Sequence, residues 1–269
     1  MRKIKSYVVL GLFAVLLCDC KRSEITFVEK QAQEKLLASD WQVRKEGVHL
    51  LASIQDKIPP MSKKTGDVLL KAFQDEIKQK KDFQEKKRAE GKFADQIDDA
   101  FDNQFPVNLY GDFVSSLAIL LATTQIKGSL PMIFQFLVET NYSTSPVLPT
   151  LYGEEGLQYL IEKESVGQPE EKQVAIQILS LWANPPQEAE DWDPLMIPKL
   201  TQRQKEQIFP LLLKNLENED SYTVYCATSA LEAFLEKSNV KEKLKELALK
   251  GPDNDIRNEA KRILERMQQ

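Results

Sequence analysis

Two segments at opposite ends of the chain place apolar residues at the same intervals. "DWQVRKEGVHLL" (40–51) and "DNDIRNEAKRIL" (253–264) both read Asp-x-x-apolar-Arg-x-Glu-small-x-x-apolar-apolar. Val43, Gly47, Leu50, Leu51 and Ile54 match Ile256, Ala260, Ile263, Leu264 and Met267 at relative positions 0, 4, 7, 8 and 11. Such spacing draws one stripe along a helix of about 3.6 residues per turn. Asp40 and Asp253 stand where an N-cap belongs, accepting free backbone N–H groups at the positive helix end.

A third segment, 208–235, predicts a full helix pair. Ile208, Leu212 and Leu216 form one stripe, "ENED" the turn, and Val224, Ala227, Leu231 and Leu235 the next stripe. Residues 240–267 repeat the design, with Leu244, Leu247 and Ala248 before a Gly-Pro-Asp turn. Val224 and Ile256 lie 32 residues apart, a period typical of stacked helix pairs. Strand-like alternation is hard to find, and Leu, Ala, Glu, Lys and Gln dominate, so the expected class is all-α.

These paired segments resemble HEAT repeats, in which a first helix and a short turn lead to a second helix opening Asp-x-x-Val-Arg. The resemblance covers two units over 208–267 and one over 24–55; 128–139, 153–163 and 170–182 fit more loosely. Tyr225 departs from it, standing where the arginine belongs. The resemblance implies a right-handed α-solenoid of helix pairs over 24–269, interrupted by insertions. One is a charged helical excursion at 65–104, expected to be a hairpin broken near Gly91. A Ser/Thr/Pro loop covers 140–150, and a Pro-rich acidic loop covers 183–198.

The N-terminus changes the picture of where the chain works. A basic start, "MRKIKS", precedes eleven apolar residues, 7–17. That run has the length of a signal peptide and is too short to cross a hydrocarbon core of about 30 Å as a helix. A short N-terminal core helix is the alternative, but the run has no polar face. Cys18 and Cys20 follow, and 1–20 resembles a bacterial lipoprotein signal whose cysteine receives the lipid. The residue before each cysteine, Leu17 or Asp19, departs from the usual small residue. Ordinary signal-peptidase cleavage after Cys20 is the competing reading. Either predicts export to the periplasm or outer cell envelope, and lipidation adds a membrane anchor. Beyond the processing site only Cys226 remains, so no disulfide is expected in the mature domain.

Net charge is -5, and removal of Arg2, Lys3 and Lys5 makes the remainder more acidic. An acidic body argues against nucleic acid as partner. The basic stretch 78–92 is interrupted by Asp82, Glu85 and Glu90 and reads as a solvated helix face.

Candidate chemistry is sparse. His49, the only histidine, occupies the helix slot of Arg262, off the stripe, and reads as a surface residue. Cys226 lies about 200° around its helix from Val224 and reads as a partly buried, inert thiol. Glu188, Glu190, Asp191 and Asp193 lack calcium-loop spacing. Trp182 and Trp192 flank that loop; core closure and loop pinning are favoured over a recognition pocket. Asn141-Tyr142-Ser143 is a formal glycosylation sequon. No cofactor or metal is implied. The reading that emerges is an exported scaffold that binds a protein or peptide partner in the cell envelope along the concave face formed by its second helices. Register places Lys45, His49, Cys226, Ser229, Asn258 and Arg262 nearest that surface. The alternative is a lyase or hydrolase on the same scaffold, with a pocket between the middle repeats and the 183–198 loop.

Overall fold

The computed structural model describes residues 25–54, 62–92, 107–139, 148–185 and 199–267. Among them are eleven α-helices and no strand, so the fold is all-α. The chain divides into two compact units, Met1–Ser129 and Leu130–Gln269. Residues 1–24, including Cys18 and Cys20, and 186–198, including Trp192, lie outside the described residues, as does the Asn141 sequon.

The first unit contains α1 (25–36), α2 (Trp41–Ile54), α3 (Lys63–Ala89) and α4 (Val107–Thr123). Helices α2 and α3 each pack on α4, around Leu51, Leu69, Phe73, Phe113, Leu117 and Leu121, all fully buried. Gly47 explains the small position of the repeated pattern. A Cβ there would sit 3.0 Å from the Ala32 carbonyl oxygen and 3.1 Å from Leu36 Cγ, so α1 and α2 touch almost backbone to backbone.

The stripe on α2 is rotated from the one predicted. Arg44, Gly47, Val48, Leu51 and Ile54 are buried, while Val43 and Leu50 are only half-buried. The cause is an ion pair: Arg44 turns inward to the fully buried carboxylate of Glu76 on α3. Its Nη1 also donates to the carbonyls of Ala38 (2.9 Å) and Ser39 (2.7 Å), closing the turn after α1. Of the charged excursion, 65–92 is described. Up to Ala89 it is the continuous helix α3, buried at Thr65, Gly66, Leu69, Ala72, Phe73 and Glu76 and exposed or half-exposed beyond. The helix stops just before Gly91, whose positive φ of 76° suits glycine.

The second unit holds α5 (Ser129–Glu139), a 3-10 turn (Leu148–Tyr152), α6 (Glu154–Val166) and α7 (Pro169–Ala183). Then follow α8 (Gln202–Asn215), α9 (Ser221–Ala230), α10 (Ser238–Lys250) and α11 (Asn254–Arg266). Three successive pairs pack together, α6 on α7, α8 on α9 and α10 on α11. Their second members are also neighbours: α9 touches α7 on one side and α11 on the other. Val224, Ala227 and Leu231 are fully buried in that contact region, as are Ile256, Ala260 and Ile263 of α11.

Local sequence sets the helix ends. Asp220 accepts from the Thr223 N–H (2.7 Å), Asp253 from the Ile256 N–H (2.9 Å), and Thr201 and Gln204 form a reciprocal capping box. The last turn of the predicted 208–235 pair differs from expectation, because α9 tightens into a 3-10 turn at Leu231–Phe234. Just before it, the Thr228 hydroxyl donates back to the Val224 carbonyl (2.8 Å), a bond that competes with regular helix geometry.

Arg257, the counterpart of Arg44, donates to the Gly251 carbonyl and to Asn254. The middle pair has Tyr225 at this slot, and asparagines stitch its turn instead. Asn218 Nδ2 donates to Asn215 Oδ1 (3.1 Å), and the Asp220 N–H donates to Asn218 Oδ1 (2.9 Å). Asn215 in turn donates to the buried Glu164 of α6 (2.8 Å), tying the first helices of two pairs together.

Arg44→Ala strands a buried carboxylate and two carbonyls, and should destabilise the first unit by about 3–5 kcal/mol. Arg257→Ala, which frees groups nearer solvent, should cost about 1 kcal/mol. Hydrogen exchange of α2 and α3 amides against α10 and α11 amides measures both; equal losses would contradict the asymmetry.

Candidate functional site

Because α9 lies between α7 and α11, the polar sides of these three helices face a common groove. It comprises two adjoining hollows of about 680 and 720 Å³ that share Tyr222, Tyr225, Glu259 and Arg262. Asp253, Asp255 and Asn258 line one end; Ser180, Leu181, Asn184, Cys226 and Ser229 line the other. Periodicity explains this arrangement. With Val224, Ala227 and Leu231 committed to the core, Tyr222, Tyr225, Cys226 and Ser229 are left on the remaining arc of α9.

Hydrogen bonds fix the walls. Asn184 Nδ2 of α7 donates to the Ser229 carbonyl of α9 (2.9 Å). Ser221 of α9 and Asp253 of α11 line one hollow together, and Ser229 of α9 and Glu259 of α11 the other. Along α11, Arg262 holds Glu259 through two bonds (2.7 and 2.6 Å) and reaches Glu232 at 3.0 Å. Arg266 grips the other oxygen of Glu232 at 2.8 Å.

This network sets the charge states. Burial pushes the Glu232 carboxyl up, but bonds from Arg266 and Arg262 outweigh it and leave the group below its ordinary value. Burial likewise acts against ionisation of Glu259, and Arg262 and Ser229 reverse the sign. Arg262 is correspondingly held more firmly protonated, first by Glu259. The Asp253 carboxyl is lowered chiefly by the Ile256 N–H it caps. Tyr225 moves the opposite way: burial, with Glu259 nearby, raises its phenol. The Cys226 thiol is pushed up to about 11, chiefly by burial, so little of the nucleophilic thiolate exists near neutrality.

Four of the six residues placed by helix register lie together in this groove: Cys226, Ser229, Asn258 and Arg262. Lys45 and His49 are on α2 in the first unit, half-buried and exposed respectively. Sequence reasoning missed Tyr222, Glu232 and Glu259, and registered Tyr225 only as a departure from the arginine pattern. A signal existed. Glu259 and Arg262 are spaced i,i+3, and Tyr225 follows Val224 just as Arg257 follows Ile256.

Trp182 is buried, and its indole N–H, with Ser180 Oγ and Gln177 Oε1, has no hydrogen-bond partner among the described residues. Among the described residues no group of three His, Cys, Asp or Glu is placed to hold a metal ion. No described helix is long and apolar enough to cross a membrane.

Glu232 and Glu259 carry folded values below the ordinary 4.5, so their stabilisation is present above that pH and lost as pH falls through the folded values. Thermal melts from pH 5.5 to 3 should therefore show a falling melting temperature, with a shallower fall in Glu232→Gln/Glu259→Gln. An unchanged slope in the double variant would show that the network does not drive the acid sensitivity.

No family model, curated protein or solved structure matches this chain.

Proposed function

We propose that this chain is an exported, lipid-anchored binding protein of the cell envelope, whose second unit holds a protein or peptide segment in the α7–α9–α11 groove. Its helix pairs form a right-handed α-solenoid of the HEAT-like kind. Support comes from the pairing of α6–α7, α8–α9 and α10–α11, the adjacency of their second helices, and the Asp-x-x-apolar-Arg pattern at 40–44 and 253–257. The single observation that carries the binding role is the groove itself. It is open, it presents two tyrosines, and its bidentate Arg262–Glu259 pair fixes the wall before any partner arrives. Tyrosine beside a preorganised polar wall is a common anchor in protein recognition, because large contact area is gained for few ordered torsions.

Export and anchoring rest on the basic start, the apolar run 7–17 and the cysteines at 18 and 20. The anchor keeps the binding unit at a membrane surface and raises the local concentration of partners confined there. The enzymatic alternative has less to draw on. Cys226, the nucleophile within the groove, is held as a thiol, and His49 belongs to the other unit.

Two measurements test this reading. Peptides selected from a random display library on the full chain should lose about tenfold or more in affinity against Tyr222→Ala/Tyr225→Ala. Equal binding to the double variant, with unchanged melting, would remove the groove as the binding site. Intact mass of the native N-terminus should show a diacylated or triacylated Cys18 or Cys20. An unmodified chain starting at Lys21 would exclude the anchor and leave simple secretion.

A further inference from the structure

An acylated cysteine at position 18 or 20 would tie one end of the first unit to a membrane. Cys20 precedes Ile25, where α1 begins, by five residues, so the tether from there reaches at most about 18 Å. Helices α1 and α3 lie side by side and run the same way. The Ser62 N–H donates to Glu29 Oε1 (3.1 Å), and Gln33 Nε2 donates to Thr65 Oγ1 (2.8 Å). Farther along, Leu36 and Ala38 share a small hollow with Ala72 and Asp75. Residue numbers thus rise together on the two helices, and α3 starts at the tethered end of α1.

That end is basic and bears an exposed aromatic ring. Lys30, Lys63 and Lys64 are exposed and enter no ion pair among the described residues. Glu29 is buried and accepts the Ser62 N–H, while the exposed acids Glu34 and Asp67 lie farther along their helices. In the tether, Lys21 and Arg22 stand against Glu24. Phe27 is 60% exposed and, nine residues before the buried Leu36, lies on the opposite side of α1. A lone exposed phenylalanine is ordinary on a protein surface. This one sits in the first turn after the attachment point, at the same helix ends as three exposed lysines.

We propose that the first turns of α1 and α3 rest on the anionic headgroups of the membrane that holds the anchor. Phe27 enters the headgroup region, and Lys30, Lys63 and Lys64 face lipid phosphates. This rests on the lipid-anchor reading and adds an orientation to it. An aromatic ring suits the boundary between headgroups and acyl chains, and lysines beside it suit a negatively charged surface. The acyl chains hold the protein at the bilayer, and the patch decides which way the first unit stands. The second half of α3, with exposed Lys78 and Lys81, then points away from the bilayer, since the helix is about 40 Å long.

Lysine acetylation of the native chain, extracted from its membrane and returned to vesicles, tests the orientation. One set of vesicles contains phosphatidylglycerol, the other phosphatidylcholine alone, and mass spectrometry reads every lysine and the N-terminus of the same sample. Lys30, Lys63 and Lys64 should react about fivefold or more slowly on the anionic vesicles, an effect that weakens with added salt. Lys78 and Lys81 should react alike on both. Phe27→Glu, with an unchanged thermal melt, should lose the protection and keep the acyl mass. Equal reactivity of all five lysines on an acylated chain would overturn the orientation and keep the anchor. Protection that extends to Lys78 and Lys81, or that survives Phe27→Glu, would also overturn it. A chain starting at an unmodified Lys21 that ignores both vesicles would overturn orientation and anchor together. The same unmodified chain, protected at the three lysines on anionic vesicles, would remove the anchor and keep the surface.

Discussion

The contact that governs the second unit is the burial of α9 between α7 and α11. A two-helix unit has too little interior to bury the stripes on both its helices, so neighbouring pairs must supply the missing surface. Val224, Ala227, Ala230 and Leu231 spend the apolar arc of α9 on that contact and reach 0–1% exposure. Burying four such side chains stabilises the arrangement by several kcal/mol at about 25 cal/mol per Å². The remaining arc has nowhere to go but the groove. Its tyrosines, Cys226 and Ser229 are therefore displayed as a consequence of packing, and the Arg262–Glu259–Glu232–Arg266 network then stiffens the wall they face.

The turn arginine shows how one local pattern can serve two ends. In the outer copies, Arg44 and Arg257 reach back to carbonyls five or six residues earlier and satisfy the end of the preceding helix. In the middle pair asparagines hold the turn instead, Asn218 bonding Asn215 and accepting from the Asp220 N–H, and the slot beside Val224 carries Tyr225. A side chain that would otherwise close a turn is thus replaced by an aromatic ring lining the groove.

Much of the architecture was legible along the chain. The 0, 4, 7, 8, 11 spacing located α2 and α11, and Asp40 and Asp253 marked their starts. These are short-range properties, in which cap chemistry and side-chain periodicity act within one or two turns. Register alone also brought Cys226, Ser229, Asn258 and Arg262 to one surface, because a helix face is fixed by counting residues.

What the chain did not reveal depended on partners distant in sequence. The inward rotation of α2 follows from Glu76, 32 residues away on another helix, and no pattern within 40–51 announces it. The groove's ion-pair network was equally hidden: Glu232 and Arg262 are 30 residues apart, and only the fold brings them to 3.0 Å. Composition determined an acidic, helical chain, and spacing determined where its helices lie and the apolar faces of α8 and α9. Tertiary structure decided which charges cancel, because cancellation depends on distance in space, and sequence separation does not record that distance.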